Sequence, residues 1–145
     1  MESIDRQILS LLSNDGRMSY TDIGRETGLS TSAAQQRVRR LEQRGIITGY
    51  RAVVDPTAIG LMLKAVISLK ASDPGHEDIV PSRLAELPEL VTCYSVAGEA
   101  SHLLIAHVAG PAELEDLLSR IRNAAGASTQ TQLVLSAPFE DRPIA

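Results

Sequence analysis

A chain of 145 residues holds one ordinary domain or two small ones, and 43% hydrophobic with 22% charged residues suits a folded core rather than a disordered chain. No apolar run approaches the roughly 18 residues of a membrane span, the opening MESIDRQILSLLSNDG is amphipathic rather than a leader, and the single Cys93 excludes an internal disulfide, so a soluble cytoplasmic protein is expected. The formal net charge is −4 but unevenly placed: residues 1–50 carry seven Arg against six Asp/Glu and residues 51–145 seven Lys/Arg against twelve, as for a basic partner-binding part and an acidic remainder.

The first half has helical periodicity. Ile4, Ile8, Leu11 and Leu12 fall on one helix face, with Ser3 as the expected N-cap, and NDGR (14–17) breaks the pattern. A short second helix is expected over about 20–27, capped by Ser19 or Thr21, with Ile23 facing inward and Gly28 as the left-handed residue that ends it. Ser30 then caps a third helix in which Ala34, Val38 and Leu41 recur at i, i+4 and i+7, and Gly45 stops it. IITGYRAVVD (46–55) turns to β-branched and aromatic residues, which predicts a strand.

The second half alternates strands and helices. KAVISLKA (64–71) has period two, with Ala65, Ile67, Leu69 and Ala71 on one side. EDIVPSRLAEL (77–87) reads as a helix whose Pro81 must lie in the first turn. VTCYSVA (91–97) and HLLIAHVA (102–109) are strands joined by GEAS, and GPAELEDLLSRIRN (110–123) is a helix with Pro111 at its first position. TQTQLVLSA (129–137) is the last strand. The order β-α-β-β-α-β is a ferredoxin-like split unit. The fold class is therefore α+β: a winged helix-turn-helix over residues 1–50, a linker strand or hinge over 51–60, and a ferredoxin-like sandwich over 61–145.

Four arginines, Arg37, Arg39, Arg40 and Arg44, fall within eight positions of the third helix. Twelve of the fourteen basic residues are Arg, so only the clustering is informative. Three helices with a tight turn between the second and third describe a helix-turn-helix, whose third helix enters the DNA major groove. With Ala34 as the buried centre and about 100° per residue, Ser32, Gln36, Arg39 and Gln43 lie opposite it and Arg40 close by, a face with no acidic residue. Ser30, Thr31 and Ser32 sit where free amides favour a phosphate. Gln35 and Gln36 suit adenine, and Arg39 or Arg40 suit guanine or phosphate. Thr21 and Gly24 lie on the second helix, where glycine leaves room for the third to approach. The competing reading is an ordinary solvated helix face.

In ordered succession, IDRQIL, the DGR turn, GLS, RVRRLE and GIITGY resemble the N-terminal half of the Lrp/AsnC (feast/famine) transcription regulators, and the resemblance continues through the split β-α-β-β-α-β half. Gly24 stands where that family more often has alanine. The resemblance implies double-stranded DNA as partner, self-association into dimers through the sheets, and further assembly, often as four dimers in an octameric ring. It also implies an amino-acid effector at contacts between the C-terminal modules, near the loop joining the middle strands. The family pattern there is Gly-x-x-Asp, an aromatic and two aliphatics; here it is Gly98-Glu99-Ala100-Ser101-His102-Leu103-Leu104. Ser101 replaces the aspartate that holds an effector's ammonium, and His102 the aromatic. Ser101 can accept a hydrogen bond from an ammonium, and Glu99 can offset its charge. Gln132 and Val134 of the last strand are implied as the other wall. The rival reading is a plain hairpin, with Gly98 serving its turn.

No cofactor site is readable: there is no Gly-rich phosphate loop and no Ser/His/Asp set. His76, His102 and His107 form no metal-ligand cluster, since His102 and His107 are five apart on a strand and point to opposite faces. Cys93 is expected as a small buried residue. The expected protein is a DNA-binding transcription regulator and not an enzyme. Two units would meet major-groove faces about 34 Å apart on a near-palindromic site. One alternative is an enzymatic or small-molecule-binding ferredoxin-like module, marked by activity without DNA; in it the N-terminal helices would bind a protein partner, marked by no DNA binding at low salt.

Overall fold

The computed structural model describes residues 1–145 apart from 73, 74, 76 and 77. The chain divides into two compact units, one of residues 1–53 with 138–145 and one of residues 54–137.

The first unit is built on α1 (Ser3–Asn14), α2 (Tyr20–Thr27) and α3 (Thr31–Gln43). Ile8, Ile23, Ala34, Val38 and Leu41 are buried together as its core, with Leu9, Leu12, Met18, Tyr20, Leu29, Ile46 and Ile47 packed around them. Each boundary has a local cause. The Ser19 hydroxyl accepts from the Asp22 amide at 3.1 Å, and Ser30 from the Ala33 amide at 3.1 Å, so each satisfies one orphan donor of a first turn. Gly28, at φ +77°, closes α2, and Gly45, at φ +70°, follows α3. The start of α1 differs from expectation. Ser3 is its first helical residue, and Glu2 holds the cap position without a side-chain cap bond.

Residues 46–55 form no strand. The Ile46 and Ile47 amides both donate to the Leu41 carbonyl, at 2.9 and 3.1 Å, so the chain folds back onto α3 and lays both side chains against the core. Val53 beyond them is fully exposed. A β-branched run becomes a strand only beside a partner edge, and none of the described strands pairs with it. A short 3₁₀ turn, Thr57–Ile59, follows, with the Asp55 carboxylate accepting from the Thr57 amide and hydroxyl at 3.1 and 2.8 Å.

The second unit contains β1 (Leu63–Ala71), α4 (Val80–Leu84), β2 (Leu90–Ser95), β3 (His102–Val108), α5 (Pro111–Ala125) and β4 (Ala127–Leu133). The sheet order is β2-β3-β1-β4 and all pairs are antiparallel, the arrangement of a split β-α-β-β-α-β unit. Ala65, Ile67 and Leu69 alternate with partly exposed neighbours along β1, and Leu104, Ala106 and Val108 do so along β3. They pack under Val80 and Leu84 of α4 and Leu114, Leu117, Ile121 and Ala125 of α5. Tyr94, Leu103, Ile105, Val66, Ser68, Gln130 and Gln132 are in register on the other face, away from the described helices α4 and α5.

Three boundaries differ from expectation. The helix expected from 77 is confined to Val80–Leu84, with Pro81 in its first turn; Glu77 lies outside the described residues. The last strand begins two residues early and stops at Leu133, with one further backbone bond from the Val134 amide to the Lys64 carbonyl at 2.9 Å. Beyond it Leu135 is 96% exposed, although the register would set it opposite Leu63 at the start of β1. Similarly, β2 ends at Ser95 rather than 97.

Candidate functional site

The exposed side of α3 follows from what its inner side buries. Ala34, Val38 and Leu41 fix the rotation of the helix, which leaves Thr31, Ser32, Gln36, Arg39, Arg40, Gln43 and Arg44 exposed, while Gln35 is half-buried. The Ser30 cap and carbonyl take the Ala33 and Ala34 amides. The Thr31 and Ser32 amides, which have no acceptor within the helix, remain at its positive end. The Thr31 hydroxyl donates to the exposed Thr21 hydroxyl at 3.4 Å, so the starts of α2 and α3 lie side by side. The arrangement presents hydroxyls, amides and guanidinium groups to one anionic surface.

One arginine of the cluster is withdrawn. Arg37 donates to Glu2 at 3.0 Å and to Asp5 at 3.1 Å. Asp5 is only 6% exposed, so this guanidinium balances a buried carboxylate on α1 instead of facing solvent. The bonds to Glu2 and then Asp5 push its pKa further up. Arg39, Arg40 and Arg44 are left to project. Gly24 is buried where α2 meets the turn: a Cβ there would lie 2.5 Å from the Leu29 carbonyl oxygen. The close approach is to the turn rather than to α3 itself, and alanine does not fit without moving backbone.

In the second unit the loop between β2 and β3 borders a cavity of about 640 Å³, lined by Gly98, Glu99, Ala100, Ser101 and His102, by Lys70 at the end of β1 and by Asp78 before α4. Ser101 is tied into the sheet. Its amide and hydroxyl both donate to the Leu69 carbonyl, at 2.9 and 3.0 Å. The hydroxyl's hydrogen is thereby committed, so the His102 Nδ1, 3.2 Å away, is the donor to Ser101. This narrows the expected role of Ser101: one lone pair is left, on a half-buried group already holding two partners. His102 itself is 4% exposed and points with Leu104 toward the helix-covered core. It supports the loop from beneath.

Glu99 is exposed, and with Lys70 and Ala100 it also lines an adjoining cavity of about 350 Å³ over Ser68, Ser128 and Gln130. Gln132 lines a further hollow of about 480 Å³, which shares Ser68 and Gln130 with the second cavity but does not reach the loop, and Val134 lines neither of the loop cavities. One chain thus does not bring Gln132 and Val134 to the 98–102 loop. Lys70 and Asp78 were not anticipated. The signal was topological: pairing of Leu69 with His102 sets the end of β1 beside the loop.

Cys93 contradicts expectation. It is exposed because β2 is an edge strand that the helices do not cover, and partial burial nonetheless pushes its thiol pKa up. His102 and His107 face opposite sides of the sheet; His76 lies outside the described residues. Among the described residues no group of three His, Cys, Asp or Glu side chains is placed to hold a metal, and no helix is long and apolar enough to cross a membrane.

Residues 1–42 match the family model of the AsnC-type helix-turn-helix domain, and residues 64–144 that of the Lrp/AsnC ligand binding domain. The chain is 42% identical to the HTH-type transcriptional regulator LrpA of Mycobacterium tuberculosis over 98% of its own length and 95% of that protein's. Among solved structures it is similar to a feast or famine regulatory protein of M. tuberculosis complexed with L-methionine, at 42% identity and a TM-score of 0.94, covering 97% of this chain and 96% of that one. It is also similar to E. coli AsnC, at 26% identity and a TM-score of 0.90, covering 97% and 95%.

Proposed function

The chain belongs to the Lrp/AsnC family of transcription regulators, and from that premise we propose that α3 reads operator DNA while an amino acid at the second unit sets how the assembled units engage it. The observation that carries the reading is the acid-free face of Gln36, Arg39, Arg40 and Gln43 in solvent. Arg39 and Arg40 contact guanine or phosphate, Gln35 and Gln36 reach adenine, and Thr21, Ser30, Thr31 and Ser32 hold backbone phosphate at the paired helix starts.

The effector sits at the loop of Gly98, Glu99, Ala100, Ser101 and His102. The relative in complex with L-methionine supports an amino acid as the effector. Gln132 and Val134 lie apart from that loop in one chain, so they join the site from a second copy. Self-association uses the sheet face away from α4 and α5, where Val66, Leu103, Ile105 and Tyr94 remain accessible; dimers then assemble further, to an octamer. An effector shifts these assemblies by no more than its differential affinity for them. The protein acts in the cytoplasm as a regulator rather than an enzyme, with a linker over 51–60 between DNA-reading and effector-binding parts.

A salt titration of operator binding by fluorescence anisotropy tests the reading. Removing one phosphate contact lowers the slope of log K against log salt by about 0.9. Arg39→Ala with Arg40→Ala should weaken binding and lower that slope by between about 1 and 2, while Arg37→Ala should leave the slope unchanged. Unaltered affinity and slope in the double variant would contradict the proposal.

A further inference from the structure

The described residues that line the cavity beside the 96–101 loop carry unequal charges. Among its described lining residues, Lys70 brings one cation, and Asp78 and Glu99 bring two carboxylates. Its volume of about 640 Å³ falls within the roughly 300–1,000 Å³ of small-molecule sites. A zwitterionic α-amino acid needs one group of each sign. Lys70 and Glu99 line both this cavity and the adjoining one and offer such a pair, whereas Asp78 lines this cavity but not the other. Asp78 is then the remaining charged group among the described lining residues. The Ser101 hydroxyl hydrogen is bound to the Leu69 carbonyl and His102 Nδ1 to Ser101, so neither is open to the ligand.

We propose that this cavity selects an amino acid with a cationic side chain, such as lysine or arginine: the α-carboxylate on Lys70, the α-ammonium on Glu99, and the side-chain cation on Asp78. The inference rests on the amino-acid reading above and adds to it the class of ligand and two contacts, Lys70 and Asp78. The selectivity comes from one extra charge contact, with an Asp78 that is exposed in the single chain. Its expected size is on the order of tenfold at low ionic strength, decreasing with salt.

Isothermal titration of the full-length protein with L-lysine, L-arginine, L-norleucine and L-methionine tests it. Lysine and arginine should bind on the order of tenfold tighter than norleucine, lysine's uncharged analogue. Asp78→Asn should abolish that margin while leaving norleucine unchanged. Lys70→Met should weaken every amino acid but not cadaverine, which lacks the carboxylate. All three positions are on the surface, and melting curves of the variants verify that they fold. Norleucine or methionine binding as tightly as lysine would overturn the inference and leave the amino-acid reading intact, as would an Asp78→Asn loss shared equally by all ligands. Failure of all four, with no binding of any of the twenty amino acids, would remove both.

Discussion

Replacing Gly24 with alanine sets two backbone effects against each other. In a helix interior, alanine is favoured over glycine by about 1 kcal/mol, because glycine loses more conformational freedom on folding. Against this, the added Cβ would lie 2.5 Å from the Leu29 carbonyl oxygen and 3.4 Å from the carbonyl carbons of Leu29 and Ser30. These are backbone atoms of the turn, so no change of rotamer relieves the contact. The Leu29 amide also donates to the Gly24 carbonyl at 2.9 Å, which holds helix and turn together. Overpacking of this kind costs about 1–3 kcal/mol, so after the helix gain a net loss between about 0 and 2 kcal/mol is expected. At a denaturant slope of about 1–3 kcal/mol per molar urea, a loss of about 1 kcal/mol lowers the midpoint by roughly 0.3–1 M. The turn leads directly into the Ser30 cap of α3, so operator affinity should fall as well. Urea titrations at fixed subunit concentration, with anisotropy on operator DNA, provide the measurement. A midpoint that rises, with unchanged affinity, would show that the turn absorbs a Cβ and that this position accepts the alanine more usual in the family.

Two further expectations concern the second unit. Ile105→Asp places a charge among Val66, Leu103 and Thr92 on the sheet face away from α4 and α5, and should split the assembly into smaller species by light scattering while each chain stays folded; an unchanged mass would exclude this face as the contact. Arg120 grips Glu89 at 2.6 Å and holds its carboxyl below the usual range, against the upward pull of partial burial. A depressed carboxyl pKa stabilises the fold above the unfolded value of about 4.3 and loses that contribution as pH falls through the folded value. Wild type and Glu89→Gln should therefore differ modestly in melting temperature at neutral pH, the pair being partly exposed, and converge in acid. A difference that is constant from pH 7 down to about pH 3 would rule the linkage out.

What could be read directly from the chain was decided within a few residues. Ser19 and Ser30 cap because a hydroxyl at that position reaches an amide three residues on, and Gly28 and Gly45 terminate because only a left-handed residue turns the chain there. The buried triplet Ala34, Val38 and Leu41 and the alternation along β1 follow from the helix and strand repeats alone. The face presented by α3 was legible for the same reason.

The rest depended on which element lies alongside which. Arg37 belongs to the basic cluster by sequence, but α1 brings Asp5 and Glu2 within 3.1 Å of it, and the charge turns inward. Residues 46–55 have the composition of a strand, yet strand pairing needs an edge from elsewhere, and Ile46 and Ile47 found the α3 carbonyl of Leu41 first. Cys93 is exposed because β2 has a neighbour on one side only, and Lys70, Asp78 and Glu99 share a cavity although up to 29 positions separate them. Local hydrogen bonds and repeats act over one or two turns of chain, so they are settled by sequence alone; burial, charge pairing and the shape of a cavity are set by distant neighbours, and only the folded arrangement supplies those.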